Sequence, residues 1–185
     1  MRAIKTKSKL FKSAAKLINK YGYDNVTIGD ISKLAGVSVG AFYHYYDSKT
    51  DIVVEFFKRI DVYFEKKSPE ILTGEDPGVM LTNLFRCYAD YHIDMGFDHT
   101  RMILKVQNSF FVDRTRYLYV MLLDIVRRGQ KTGIFDGNIA AESIGDYFLV
   151  VARGLLFDWV LEKSEYDLTE KMIENIERSK RAFLP

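Results

Sequence analysis

Cysteine is nearly absent: one residue, Cys87, in 185. An internal disulfide framework is excluded, and a reducing compartment is the expected setting. Proline is also scarce, at three residues, and no alternating strand pattern stands out. No apolar run approaches the roughly 18 residues of a membrane span, and the first eleven residues, MRAIKTKSKLF, hold no signal-like apolar core. The expectation is a soluble cytoplasmic protein. Catalytic chemistry is equally thin. The three histidines, 44, 92 and 99, are scattered, and no Gly-rich phosphate loop, paired Cys/His metal spacing or nucleophile–base set is found. The chain is read as neither an enzyme nor a metalloprotein, and no cofactor is implied.

What is present is helix and charge. Apolar residues make up 48% of the chain, enough for a substantial core. The net charge of +2 hides an asymmetry: residues 1–50 carry nine basic and three acidic side chains, or +6, leaving −4 for the rest. A basic module on an acidic body points to a polyanionic partner, although a solvated lysine face explains the charge equally well. Apolar spacing is helical almost throughout. Phe11, Ala14, Ala15 and Ile18 form a stripe that stops at Gly22. Thr27 with Asp30 makes a capping-box variant for a short second helix, which Gly36 ends. Ser38 caps a third helix, and a fourth starts at Ser48 and is expected to run to about Lys67. The segment 69–78 reads as loop, followed by helices near 77–95, 99–111, 113–132, 139–163 and 168–183. The fold class is all-α, with about nine helices.

Three short helices in residues 10–46, two of them joined by a tight glycine turn, form a helix-turn-helix pattern. At about 100° per residue, Val39, Phe42 and Tyr46 share the arc that faces the core, while Gly40, Ala41, Tyr43 and His44 point outward with Tyr45 on the flank. Exposed tyrosines and imidazole suit phosphate and sugar contacts. Small residues permit close approach to base edges. Lys49, in the first turn of the fourth helix, favours a phosphate through both its charge and the helix dipole. Contact with double-stranded DNA explains this surface best.

The stretch TIGDISKLAGVSVGAFYHYYDSKTDIV, residues 27–53, resembles the DNA-binding segment of the TetR family of transcriptional regulators. The likeness covers roughly residues 8–55. It implies a helix-turn-helix domain over 1–47 and a helical ligand-binding and dimerisation domain over 48–185. It also implies Thr27 and Lys49 on phosphates, Ser38, Gly40 and Ala41 at or near bases, and Tyr43 and His44 on the backbone. Val39 and Tyr45 complete the candidate DNA-binding set. Many members carry a longer polar residue at the Ala41 position, so base readout there is expected to be mostly apolar. Tyr46 stands where the family commonly has phenylalanine, and its hydroxyl needs a partner or a path to solvent.

In the body, aromatic residues at helical spacing could enclose an apolar pocket. Tyr88, His92, Phe110, Tyr117, Phe148 and Arg153 are its candidate lining. The segment 144–161, IGDYFLVVARGLLFDWVL, is apolar on more than one face, and Gly154 would let another helix approach. By the resemblance, the last two helices pair across a homodimer that sets two recognition helices on a palindromic operator. The expected activity is a repressor released by a small, largely apolar or aromatic effector. The alternative is a regulator governed by a protein partner, or acting constitutively or as an activator.

Overall fold

A computed structural model describes residues 2–105 and 113–185. Among these residues there are nine α-helices and no strand. They are α1 (Arg2–Tyr21), α2 (Ile28–Ala35), α3 (Val39–Tyr43), α4 (Lys49–Ile71), α5 (Pro77–Met95), α6 (Phe97–Lys105), α7 (Tyr117–Lys131), α8 (Ala141–Leu161) and α9 (Leu168–Lys180), closed by a 3-10 turn at Arg181–Phe183. None of them is long and apolar enough to cross a membrane.

The chain forms two compact units. The first holds residues 2–59 and 95–105, and the second holds 60–94 and 113–185. α4 supplies residues to both, and α6 belongs with the first. In that unit Leu10, Phe11, Ala14 and Ile18 of α1 are buried together with Ile31, Phe42, Tyr46, Ile52 and Phe56. The Phe11 and Phe56 rings lie 4.6 Å apart, and α6 adds buried His99, Thr100, Met102 and Ile103. The second unit is built around Phe64, Leu84, Phe85, Tyr88, Leu122, Ile125, Ile144, Phe148, Leu156 and Met172. Gly129 is required there, because a Cβ at this position would lie 2.3 Å from the Phe135 ring.

Local chemistry sets most helix ends. Gly36 ends α2 in the left-handed conformation at φ 69°, its N–H donating to Lys33 O. α4 departs from expectation by running through Pro69 to Ile71. Pro69 has no N–H to give the Glu65 carbonyl, and the Ser68 hydroxyl donates to that carbonyl at 2.8 Å instead. The loop that follows is correspondingly short, and Asp76 caps α5 by accepting from Gly78 N–H at 2.7 Å, with Pro77 at the first helical position. α7 starts at Tyr117 rather than 113, because Asp113 accepts from both Thr115 N–H and Thr115 Oγ1 in a turn. α8 stops at Leu161, before Lys163 and Ser164 take left-handed φ values of 51° and 62°.

Candidate nucleic-acid interface and effector cluster

The outward face of α3 is built by its cap and its inward anchors. Ser38 Oγ accepts from Ala41 N–H at 3.1 Å, which starts the helix and leaves the hydroxyl proton to donate elsewhere. Phe42 is fully buried and packs on Tyr46 at 5.5 Å. The turn between those two anchors fixes what faces out: Gly40, Tyr43 and His44 are exposed, Ala41 and Tyr45 are half-buried, and the Tyr45 ring meets His44 edge-on at 5.0 Å. Val39 corrects the helical-wheel reading. It is 45% exposed rather than facing the core, because α3 spans only five residues and Val39 is the first of them, with no preceding turn of the helix to fix its side in the arc. Val39, Gly40, Tyr43 and His44 therefore form a small, mostly apolar and aromatic outward surface on one short helix.

Thr27 and Lys49, which the resemblance puts on phosphates, are both hydrogen-bonded within the chain in the absence of DNA. Thr27 caps α2, and both its N–H and its hydroxyl donate to Asp30 Oδ2, at 3.0 and 2.5 Å. These two bonds hold the Asp30 carboxyl below its usual range. The Lys49 ammonium donates to the backbone carbonyls of Tyr23 at 2.8 Å and Val26 at 2.9 Å, and lies 4.1 Å from the Tyr23 ring centroid. Burial lowers its pKa, with Asp24 acting against that shift. Lys49 thus ties the loop before α2 to the start of α4. Nothing in the local sequence signals this tie, since its acceptors are main-chain atoms more than twenty residues away.

Tyr46 reaches neither of the outcomes open to it. It is 4% exposed, and among the described residues its hydroxyl has no hydrogen-bond partner. Burial pushes the phenol pKa upward, with Glu55 adding to the rise and Arg59 opposing it.

Within the second unit, three of the six candidate effector residues, Tyr88, His92 and Phe148, belong to one cluster of rings. Tyr88 is buried between Phe64, stacked at 6.3 Å, and His92, edge-on at 4.9 Å. Phe85 touches both Tyr88 and Phe148, at 6.4 and 6.1 Å. Burial raises the Tyr88 phenol pKa, and the charges of Arg153 and Arg116 pull it back. Arg116 is not among the residues the sequence points to. It makes a two-point bond to Asp61 at 3.1 and 3.2 Å, a pairing across 55 residues that no local pattern announces. Tyr117 stands apart: it opens α7 and is 37% exposed. Phe110 lies outside the described residues. Burial and neighbouring Asp90 keep the Cys87 thiol pKa high, the opposite of a reactive thiolate. Among the described residues no three His, Cys, Asp or Glu side chains cluster in a way that could hold a metal.

Residues 10–56 match the sequence profile of the family described as bacterial regulatory proteins, tetR family. The HTH-type transcriptional regulator TtgR of Pseudomonas putida is 25% identical over 183 residues, covering 90% of this chain and 85% of that protein. The transposon Tn10 TetC protein of Escherichia coli is 27% identical over 160 residues, with 84% and 77% covered. In three dimensions, the regulator FadR from Bacillus subtilis, solved with stearoyl-CoA, superposes with a TM-score of 0.74 at 20% identity, over 91% of this chain and 96% of that one. A SmeT–triclosan complex gives 0.71 at 14% identity, over 97% and 92%.

Proposed function

Since the chain belongs to the tetR family of bacterial regulatory proteins, and is a transcriptional regulator rather than an enzyme, we propose that it is a homodimeric repressor that a small, largely apolar or aromatic molecule releases from a palindromic operator. The outward surface of α3 carries this reading. The Ser38 cap and the buried Phe42 and Tyr46 hold Val39, Gly40, Ala41, Tyr43 and His44 in a fixed array. Tyr43 and His44 supply donors for phosphates, Ser38 keeps its hydroxyl proton, and the small residues admit base edges and thymine methyls. Thr27 and Lys49 contribute by positioning: one starts α2, and the other fastens the α1–α2 loop to α4. Tyr45 supports His44 from the side.

The dimer is supported by an apolar stripe on α8. Tyr147, Val150, Phe157 and Leu161 are 43, 66, 55 and 61% exposed. With Gly154, whose Cβ position is open, they recur at intervals of three and four residues, the seam spacing of paired helices. An exposed row of this kind asks for a partner helix. A second copy would place two α3 helices on successive major grooves, about 34–36 Å apart.

Effector binding is assigned to Tyr88, His92, Phe148 and Arg153, with Arg116 added, with Tyr117 as an outlying candidate, and with Phe110 carried over from the sequence reading. The solved relatives that carry stearoyl-CoA and triclosan are consistent with such a site and do not choose a ligand. Because Asp61 lies on α4 and is clamped by Arg116, a ligand near Tyr88 would act on the helix that begins at Lys49. It need only favour the state with wrongly spaced α3 helices by a few kcal/mol. The test is a thermal-shift screen of apolar and aromatic compounds, with each hit added to a protein–DNA complex. A hit should raise the melting temperature and dissociate the complex. A hit that stabilises the protein and leaves DNA affinity unchanged would contradict release. No hit at all would favour control by a protein partner.

A further inference from the structure

Much of the positive charge of the first unit lies on α1, while α3 carries no charged side chain. Lys5, Lys9, Lys12, Lys16 and Lys20 are all exposed on α1. Their spacing of four, three, four and four places them within an arc of about 80° along about 22 Å of helix. Leu10, Phe11, Ala14 and Ile18, which enter the core, lie on the opposite side of the same helix. No Asp or Glu occurs between residues 2 and 21. Among the described residues, the ion pair from α1 is made off the ridge, by Lys7 with Glu55 at 3.3 Å. On the ridge itself, Lys20 packs over the Tyr21 ring at 4.9 Å. Phe42 of α3 and Tyr46, just beyond its end, enter the same core, and Val39, Gly40 and Tyr43 are exposed on α3.

We propose that this ridge is a second, sequence-independent binding surface for duplex DNA, holding phosphates beyond those met by α3. Five exposed ammonium groups in a row suit a linear array of phosphates. Flexible lysine stems suit a partner whose register is not specified. A lipid surface is disfavoured, because the large apolar side chains on the inward face of α1 are already in the core and do not remain to enter a bilayer. The ridge would keep the protein on DNA between operators, or hold a second duplex while α3 reads the first. It rests on the reading of this unit as a DNA binder, yet it fails separately from it.

The experiment compares wild type, the triple variant Lys9→Gln, Lys12→Gln, Lys16→Gln, the matching triple Lys→Arg variant, and Tyr43→Ala. Each is titrated against a labelled random-sequence duplex of about two helical turns over a range of KCl, with circular dichroism to check helicity. The Gln variant should lower the slope of log affinity against log salt by about 2 to 3, near 0.9 per phosphate released, and the Arg variant should restore it. Two duplexes carrying donor and acceptor dyes separate the sources of phosphate. Energy transfer that the Gln variant abolishes marks a separate duplex, and slope loss without transfer marks flanking DNA; both support the ridge. An unchanged slope in the Gln variant, while Tyr43→Ala weakens binding, overturns the ridge and leaves the α3 reading intact. A Gln variant that loses binding to phosphatidylserine vesicles but keeps it on duplex would also overturn the ridge. No duplex binding by any form would refute both.

Discussion

At the residue scale, Tyr46 is an uncomfortable side chain in the first unit. Its hydroxyl is buried without a hydrogen-bond partner among the described residues, an arrangement that costs about 1–3 kcal/mol. Tyr46→Phe is therefore expected to stabilise the protein by about 1 kcal/mol in urea unfolding. A loss of stability would mean that the hydroxyl has a partner. Lys49 gives the second residue-scale prediction. Because its ammonium is held by Tyr23 O and Val26 O, Lys49→Met should loosen the 23–27 loop, raising amide exchange there, and leave the salt slope of DNA binding unchanged. A slope reduced by about 0.9 would put Lys49 on a phosphate after all. His99 gives the third. Burial holds its pKa down at about 3, so the folded chain keeps the imidazole neutral where the unfolded chain protonates it below about 6.5. Stability is then lost as pH falls from about 6.5 towards 3. Between pH 7 and 5 this amounts to about 2 kcal/mol, and His99→Gln should remove that increment. An unchanged pH dependence would show that His99 is reached by solvent.

At the scale of elements, α8 carries the argument for assembly. Replacing Val150 and Phe157 with glutamate puts two charges into the proposed seam without touching the core, since both side chains already face solvent in the single chain. Light scattering should report a monomer that retains its helicity, and a dimer of unchanged mass would move the interface elsewhere. Much of the element pattern is legible in the sequence, because each of those ends has a local cause. Thr27 with Asp30, Ser38, Gly36 and Asp167 are caps that act within three residues. The failures also have causes. Pro69 reads as a stop, but a serine hydroxyl one residue earlier repairs the bond that proline cannot make. Val39 reads as buried, but an arc drawn at about 100° per residue assumes a longer helix than the five residues of α3. At the site, the outward set Gly40, Tyr43 and His44 follows from periodicity. The acceptors of Lys49 and the Arg116–Asp61 clamp join distant segments, and periodicity carries no information about them.

At the scale of the whole molecule, two features have to act together: an α3 surface that touches DNA through few groups, and a second copy that makes those few contacts selective. A single α3 offers only small and aromatic side chains, and one half-site of that kind discriminates weakly. The most direct test is a mobility shift of the purified protein on the DNA flanking its own gene, at two salt concentrations with competitor DNA, for wild type and Tyr43→Ala. A discrete complex that survives competitor, weakens with salt and is lost in Tyr43→Ala is the predicted result. A competitor-resistant complex formed equally well by Tyr43→Ala would contradict the account, because the outward face of α3 would then not be the surface that reads DNA.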